Sequence, residues 1–483
     1  MAGDRVVRIR RLAEDGVQAR SLRRGIAAIQ HEQEVTPQFD PAVESAAASA
    51  AEQPRLPALD RTDLELVTID PAGSRDLDQA VHVARDGRGY LVTYAIADVA
   101  AFVSAGDPVD VEAHRRGQTF YGADSKIPLH PTVLSEDAAS LLPDRERPAL
   151  VWSIRVDADG EGTDVDVRRA LVRSRAQLDY PTAQRGIDDR SAPESLQLLA
   201  ELGRKRLVRE AARGGVSLPL PEQEVDIDGG EWRLEFRSLL PVEQWNAQIS
   251  LLCGFAAAWL MVPSRVGLLR TLPPPDPRDV ARLHRTARAL HIRWPADQAY
   301  PDFIRSLDPG VPAHAAMVVA CTRLLRGSGY AAFHGDLPEL LEHSALTSPY
   351  SHVTAPLRRL ADRYAGEVCV ALCAGTAVPD WVMASLDRLP EEMRESTRRA
   401  NQYENAILNL VETGILQHRV GAVFDAVVVD VDPKDERRGE VTIQEPAVEA
   451  SVTGAHRLPL GEEVRVRLVK ADLGTRTVEF RVV

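Results

Sequence analysis

The chain has 483 residues, of which 44% are apolar and 27% charged; this is enough apolar mass for two or three packed domains and excludes a disordered or fibrous chain. A formal net charge of −13 argues against a protein that coats nucleic acid with a broad basic face. It leaves room for a strand threaded through a local basic channel toward a carboxylate-rich site.

The N-terminus, MAGDRVVRIRR, has no apolar signal region, so the expected compartment is the cytoplasm. Residues 1–60 read as a helical extension and linker. Val6 to Ile29 has helical spacing with arginines on the polar side, and the Pro- and Ala-rich EVTPQFDPAVESAAASAAEQPRLPALD is a short helix or a loose linker. Residues 61–175 read as strands. LELVTID is one, AVHVARDGRGYLVTYAIADV is a hairpin turning at Asp86-Gly87, and LVWSIRVDADGEGTDVDVRRALV is a second hairpin turning between Asp157 and Gly162.

Residues 176–415 are expected to be mostly helical. Val280, Leu283, Ala287 and Leu290 recur at helical spacing after Asp276-Pro277, and His314–Arg326, Arg358–Cys373 and Thr397–Gln417 behave alike. The longest apolar run, Ile249 to Val262, has fourteen residues and is expected as a buried helix rather than a membrane span. The four cysteines, Cys253, Cys321, Cys369 and Cys373, include no C-x-x-C pair, so neither zinc nor disulfides are expected. Residues 419–483 return to strands: five short runs with turns between them, which suits an OB-type barrel. Such barrels often hold single-stranded nucleic acid on aromatic platforms, yet Phe424 and Phe480 can equally be core.

The sharpest constellation is TIDPAGSRDLDQA, residues 68–80. A strand ends at Asp70, a Pro-Gly loop follows, and then Asp76 and Asp78, two apart on an extended segment, share a face. Carboxylates held together repel unless a cation or proton relieves them, and a hard cation such as Mg²⁺ takes oxygen ligands. On spacing alone an exposed acidic turn is the alternative. A calcium EF-hand fits poorly, because Ala72 and Ser74 do not supply its carboxylates and no glutamate falls at the end of the loop.

TIDPAGSRDLDQA followed by YAIADVAAFV resembles the signature of the RNB (ribonuclease II-like) family, whose usual form is TID, a short loop and D-x-D-D. RGQTFYGADSKIPLHPTVLSEDAASLLP resembles the family's tyrosine loop, RGGVSLPLPE the stretch before its helical half, and TSPYSHVTAPLRRLADR its Y-x-H-x-T-S-P-I-R-R-Y-x-D motif. Four blocks in the correct order, from about residue 61 to 415, make the resemblance specific.

It implies an α+β fold with a sheet wrapped around helices, and a magnesium-dependent (or manganese-dependent) 3′-to-5′ exoribonuclease that releases nucleoside 5′-monophosphates from single-stranded RNA. Asp70, Asp76 and Asp78, with Gln79 at the fourth position, would hold metal. Asp78 and Arg358 would be catalytic. Tyr121, Glu243, Asn246, Tyr350, His352, Thr354, Arg358 and Arg359 would meet RNA. Two metal ions roughly 4 Å apart can serve the attacking and leaving oxygens of phosphodiester hydrolysis, and a guanidinium forks onto phosphate oxygens. Asp98 would either bond the metal loop or cap a turn, and Glu404 would lie on a solvated helical face. No obligate protein partner is expected.

The sequence also departs from the family pattern. The usual fourth aspartate is Gln79, the serine before the Pro-x-Arg-Arg run is Ala355, and the tyrosine after it is Leu360. The first 60 residues are too few and too helical for the two cold-shock barrels common in the family. An RNA-binding protein that has lost the chemistry, and a phosphodiesterase that trims short oligonucleotides, are therefore the competing readings.

Overall fold

The computed structural model describes residues 7–9, 17–122, 126–218, 222–228, 231–237, 239–308, 311–443, 445–446 and 448–483. Strands β1 (Leu66–Asp70), β2 (Gln79–Asp86), β3 (Gly89–Ala97), β4 (Glu146–Val156) and β5 (Gly162–Asp179) form a closed barrel in that order. Neighbours pair antiparallel until β5 returns parallel to β1, with Asp70 opposite Asp179. The hairpins fall where the alternation of β-branched, aromatic and polar residues predicts them. Gly87 takes φ +58° in the first turn, a conformation that favours glycine.

The period of two sorts these strands into two faces. Val81, Val83, Tyr90, Val92, Tyr94, Ile96, Trp152 and Ile154 pack on helices, while Ala80, Ala95, Ala97, Ala149, Val151 and Ala170 form a shallower second core. Helices α1 (Val17–Glu32) and α2 (Pro41–Glu52) lie in the N-terminal segment. The Ala-rich stretch is thus a helix, not a loose linker, and its Val43 and Ala47 cover the alanine face.

Helices α3 (Pro108–Arg116), α4 (Glu194–Arg213) and α5 (Pro241–Ser264) follow, and α6 (Leu360–Ala374) and α7 (Leu389–Leu416) complete the helical half. At 24 residues α5 is longer than its apolar run, and by length and composition alone it could cross a membrane. Its Ile249, Leu252, Cys253, Ala256 and Ala257 are instead buried in the main core. Two of its polar side chains find partners there: Tyr94 Oη and Ser250 Oγ lie 2.8 Å apart, and Gln248 Nε2 donates to Glu210 at 2.6 Å, while Gln248 Oε1 is buried without a partner. The helical half also holds an antiparallel strand pair, Val266–Thr271 with Gly329–His334. Six-residue segments such as VGLLRT and GYAAFH are too short for a period that separates strand from helix, so that pair was not legible.

Strands β6 (Val423–Val431), β7 (Arg438–Ile443), β8 (Val448–Thr453), β9 (Glu463–Asp472) and β10 (Thr477–Val482) close a second barrel in the order β6-β7-β8-β10-β9, with β8 and β10 parallel. All five expected strands are present, and this order suits the OB-type Greek key. Phe424 and Phe480 meet edge to face at 5.8 Å inside it, so both are core. Leu22, Ile26 and Ile29 of α1 join Ile407 and Leu410 of α7 in the same apolar cluster as this barrel. An ion pair, Arg476 to Glu32 at 2.6 Å, ties α1 to its rim.

Candidate active site

Three chain segments meet at the rim of the first barrel. The first is the connection from β1 to β2. Beyond Asp70 the chain turns, with the Ser74 N–H donating to the Pro71 carbonyl at 3.1 Å and Gly73 at φ +81°. Leu77 is driven into the alanine-face core, and its N–H donates to Ser140 Oγ at 3.0 Å. That anchor sets the direction of its neighbours Asp76 and Asp78.

The second segment is the loop Ser351–Arg359 that leads into α6. Asp362, in the first turn of α6, accepts the Ala355 N–H at 2.7 Å and two bonds from Arg359, at 2.6 and 2.9 Å. The loop is therefore rigid where it faces Asp78. The Leu357 N–H donates to Asp78 Oδ1 at 2.8 Å, and Arg358 Nε donates to Oδ2 at 3.2 Å. Ala355 needs no side chain for its part, which uses only its backbone.

The third segment is the tyrosine loop. The Thr119 N–H donates to the Arg358 carbonyl at 2.9 Å, and the Leu360 N–H donates to that of Gly117 at 2.9 Å. Phe120–Tyr121 then pairs with Lys126–Ile127. Phe120 is buried beside Tyr403, while Tyr121 is 39% exposed and lies within electrostatic reach of Arg358, Asp76 and Asp78.

The electrostatics of this rim are unbalanced. Asp78 is 3% exposed, and burial pushes its carboxyl up to about 7 against the pull of Arg358. Burial likewise pushes Asp70 up to about 6, with Asp76 adding repulsion. Asp70 Oδ2 is buried with no hydrogen-bond partner. An orphaned carboxylate oxygen on Asp70, with Asp76 within electrostatic reach of both Asp70 and Asp78, suits a cation, so the residues present fit a divalent metal. Even so, among the described residues no three His, Cys, Asp or Glu side chains converge into a ready-made cage. The expected convergence of Asp70, Asp76 and Asp78 is only electrostatic here. Lys126 Nζ holds Asp76 Oδ1 at 2.7 Å, while Leu357 and Arg358 hold Asp78.

The RNB domain family matches residues 59–372, and the RNase II-type exonuclease C-terminal S1 domain matches residues 422–483. The chain belongs to the RNB family. A homologue A of the exosome complex exonuclease RRP44 from Arabidopsis thaliana is 30% identical over 65% of this chain and 35% of its own length. Ribonuclease R of Mycoplasma pneumoniae is 25% identical over 76% of this chain and 53% of its own. The chain thus spans about a third to a half of the length of these curated relatives. Among solved structures, Mycoplasma genitalium RNase R in complex with ribose methylated single-stranded RNA superposes with a TM-score of 0.84 at 18% identity, over 96% of this chain and 78% of that one. Yeast Ssd1, a pseudonuclease, superposes with a TM-score of 0.70 at 16% identity, over 94% and 57%.

Several residues expected to face metal or RNA in this RNB chain have partners within the protein. Tyr350 is 7% exposed; it sits against Gly254, where a Cβ would lie 2.1 Å from its ring, and packs on Phe255 and His352. Thr354 is buried, and its carbonyl accepts the amide nitrogen of Gln79. Gln79 therefore closes the wall with its donor end, where an aspartate would oppose one oxygen with another. Arg359 is bound by Asp362, and His352 Nδ1 lies 2.7 Å from Tyr330 Oη, so these two brace the loop. Glu243 accepts the Leu240 N–H at 2.9 Å as part of the α5 cap, whereas Asn246 reaches the Ile69 carbonyl, next to Asp70, at 3.4 Å.

Asp98 precedes the turn Val99–Ala101, but its side chain makes no cap bond there and none to the metal loop. It is buried in an ion pair with Arg169, 2.8 Å away, which also binds Glu367. Glu404 is half-buried on its helix, and its Oε1 accepts the Tyr121 N–H at 3.3 Å. Lys126 and Glu136, also at the rim, carried one signal in the sequence: Lys126 is a lysine in a chain whose basic residues are nearly all arginine.

Proposed function

We propose that this chain is a divalent-metal-dependent 3′-to-5′ exoribonuclease acting on single-stranded RNA, with magnesium as the metal and nucleoside 5′-monophosphates as products. The observation that carries this reading is the buried Asp78 carboxylate. The Leu357 N–H and Arg358 Nε fix it, and Asp76 and Arg358 lie within electrostatic reach of both Asp78 and Asp70, whose Oδ2 is orphaned. Asp70, Asp76 and Asp78 would hold the metal, which when bound activates water and relieves charge on the phosphate.

The protein groups do the rest. Arg358 uses one edge on Asp78, and its side chain stays 44% exposed, so the remaining donors can fork onto the scissile phosphate. Tyr121 presents a ring for the 3′-terminal base, a contact that any base satisfies. Glu404 holds the backbone of that tyrosine in place. Incubating a 5′-labelled single-stranded RNA with Mg²⁺ tests the reading. A ladder shrinking from the 3′ end, absent with EDTA and absent in Asp78→Asn, is the expected outcome. Intact RNA at high protein concentration rejects it.

A second reading is an RNB-fold protein that binds RNA without cutting it. The Gln79–Thr354 bond and the Lys126–Asp76 pair favour it, since both occupy groups expected to meet metal. Tight RNA binding that is indifferent to Mg²⁺ would select it. Equal rates on a four-mer and a thirty-mer would mark a trimming phosphodiesterase instead.

A further inference from the structure

Lys126 sits directly across from Tyr121 in the tyrosine loop and points at the acidic rim. Its Nζ lies 2.7 Å from Asp76 Oδ1 and 3.0 Å from Glu136 Oε1, and the three side chains are largely shielded from solvent. The Arg75 guanidinium donates to the Glu136 carbonyl at 3.3 Å and fixes the far end of the arrangement. The choice of residue is informative. Lysine is rare in this chain, and arginine supplies nearly all of its 58 basic residues. An ammonium is a compact point charge with three donors that aim in different directions, whereas a guanidinium is a planar fork. Two carboxylates approaching one point from different sides, as Asp76 and Glu136 do, match the ammonium.

The charge balance at the rim then differs from that of an aspartate-only site. Asp70, Asp76, Asp78 and Glu136 bring four negative charges, and Lys126 and Arg358 bring two positive ones. Gln79, where the family's usual pattern has a further aspartate, adds none. With Arg75 at the far end as a third positive charge, one to two negative charges remain, which a single divalent cation balances and two would exceed. A second one would have to displace the ammonium from Asp76 and would meet the donor end of the Gln79 amide at the Thr354 wall.

We propose that Lys126 is a protein-borne cation that takes the place of a second metal ion, so that the site binds one divalent cation, at Asp70 and Asp78. Lys126 is a positioning residue: it acts on the reaction through Asp76. This rests on the reading of the acidic rim as a metal site. It explains why Gln79 and Lys126 occur together. Losing a carboxylate and gaining an ammonium both move the rim from a two-ion to a one-ion charge balance, and neither change touches Asp78 or Arg358.

The test is the stoichiometry of Mn²⁺ on the full chain, measured by electron paramagnetic resonance of free Mn²⁺ during titration, alongside RNA hydrolysis. The expected results are one Mn²⁺ per wild-type chain, one in Lys126→Arg, and two in the Lys126→Met/Gln79→Asp double variant. Gln79→Asp alone should stay at one ion, because the ammonium still holds Asp76. Two ions on the wild-type chain overturn the proposal, and if that chain still degrades RNA the proposed function survives without it. No Mn²⁺ on any variant overturns both. Should the double variant fail to fold, a wild-type value of two, or a change from one to two in Gln79→Asp alone, still overturns the role given to Lys126.

Discussion

The two barrels of this chain solve the same problem and carry different loads. Each closes five strands through one parallel pair, β1 with β5 and β8 with β10, and closure removes the unpaired edges that a small open sheet would expose. The first connection in each is charged. Between β6 and β7, Asp435 pairs with Arg437 at 3.0 Å in water. Between β1 and β2, Leu77 is pulled into a core and drags Asp78 out of solvent, against a loop from a distant part of the chain. The lesson is that acidic residues in a β connection become a site only where packing desolvates them.

The comparison predicts unequal outcomes for equal changes. Asp78→Asn keeps an acceptor for the Leu357 N–H and removes the charge. RNA hydrolysis should fall by about 10³-fold or more, with RNA binding in a filter assay nearly unchanged. Asp435→Asn in the second barrel should leave the rate within about twofold, as expected for an exposed pair. Similar losses in both would erase the distinction. In the second barrel the vulnerable group is apolar. Phe480→Ala should cost about 3–5 kcal/mol in a denaturant titration; a cost under about 1 kcal/mol would mean that this barrel is not packed around Phe424 and Phe480.

Two milder changes probe the open side of the first barrel. Arg358→Lys keeps a positive charge but loses the fork, so the catalytic rate should drop by about 10²-fold while the fold stays intact by circular dichroism. A rate equal to wild type would show that only charge matters there. Tyr121→Ala should weaken binding of a short single-stranded RNA by about 1–3 kcal/mol. Unchanged affinity would remove the tyrosine from the RNA path.

What the sequence made legible divides along the same line. Both hairpins of the first barrel and all five strands of the second follow from alternation and turn residues within ten to twenty neighbours. The closure of the first barrel did not, because β1 pairs with β5 about a hundred residues away. The acidic loop, Arg358 and Tyr121 were found as motif residues, and the structure brings them to one rim. Tyr350, Thr354 and Arg359 were read from the same motif as RNA contacts; the structure adds that Tyr350 and Thr354 are buried and that Arg359 is paired with Asp362. A motif records which residues belong together and not which way each faces. Lys126 and Glu136 were missed because Lys126 joins Asp76 and Glu136 across turns of the chain, and Glu404 was read as a solvated residue because its partner Tyr121 lies 283 positions away.

The smallest expected effect concerns pH, and it contrasts the buried carboxylates with the buried histidines. Asp78 and Asp70 are pushed up to about 7 and about 6, chiefly by burial. Between pH 7 and 6 the folded chain takes up protons at these sites while the unfolded chain, with ordinary carboxylates, does not. Acidification in this window therefore stabilises the metal-free fold through them, and that contribution is lost again as pH rises through 7. His130 and His343 are pushed down to about 3 by burial, so they act with the opposite sign: their stabilising share is present above 6.5 and declines as pH falls below it. In the metal-free wild type the two tendencies oppose each other. Asp70→Asn/Asp78→Asn leaves only the histidines, so between pH 7 and 6 this variant should lose about 1–2 kcal/mol more than wild type in urea unfolding. Saturating Mg²⁺ should give wild type the same steeper fall, because a bound cation keeps both carboxylates ionised. Parallel pH profiles for wild type and variant would mean that these aspartates are as solvated as those on the rim of the second barrel.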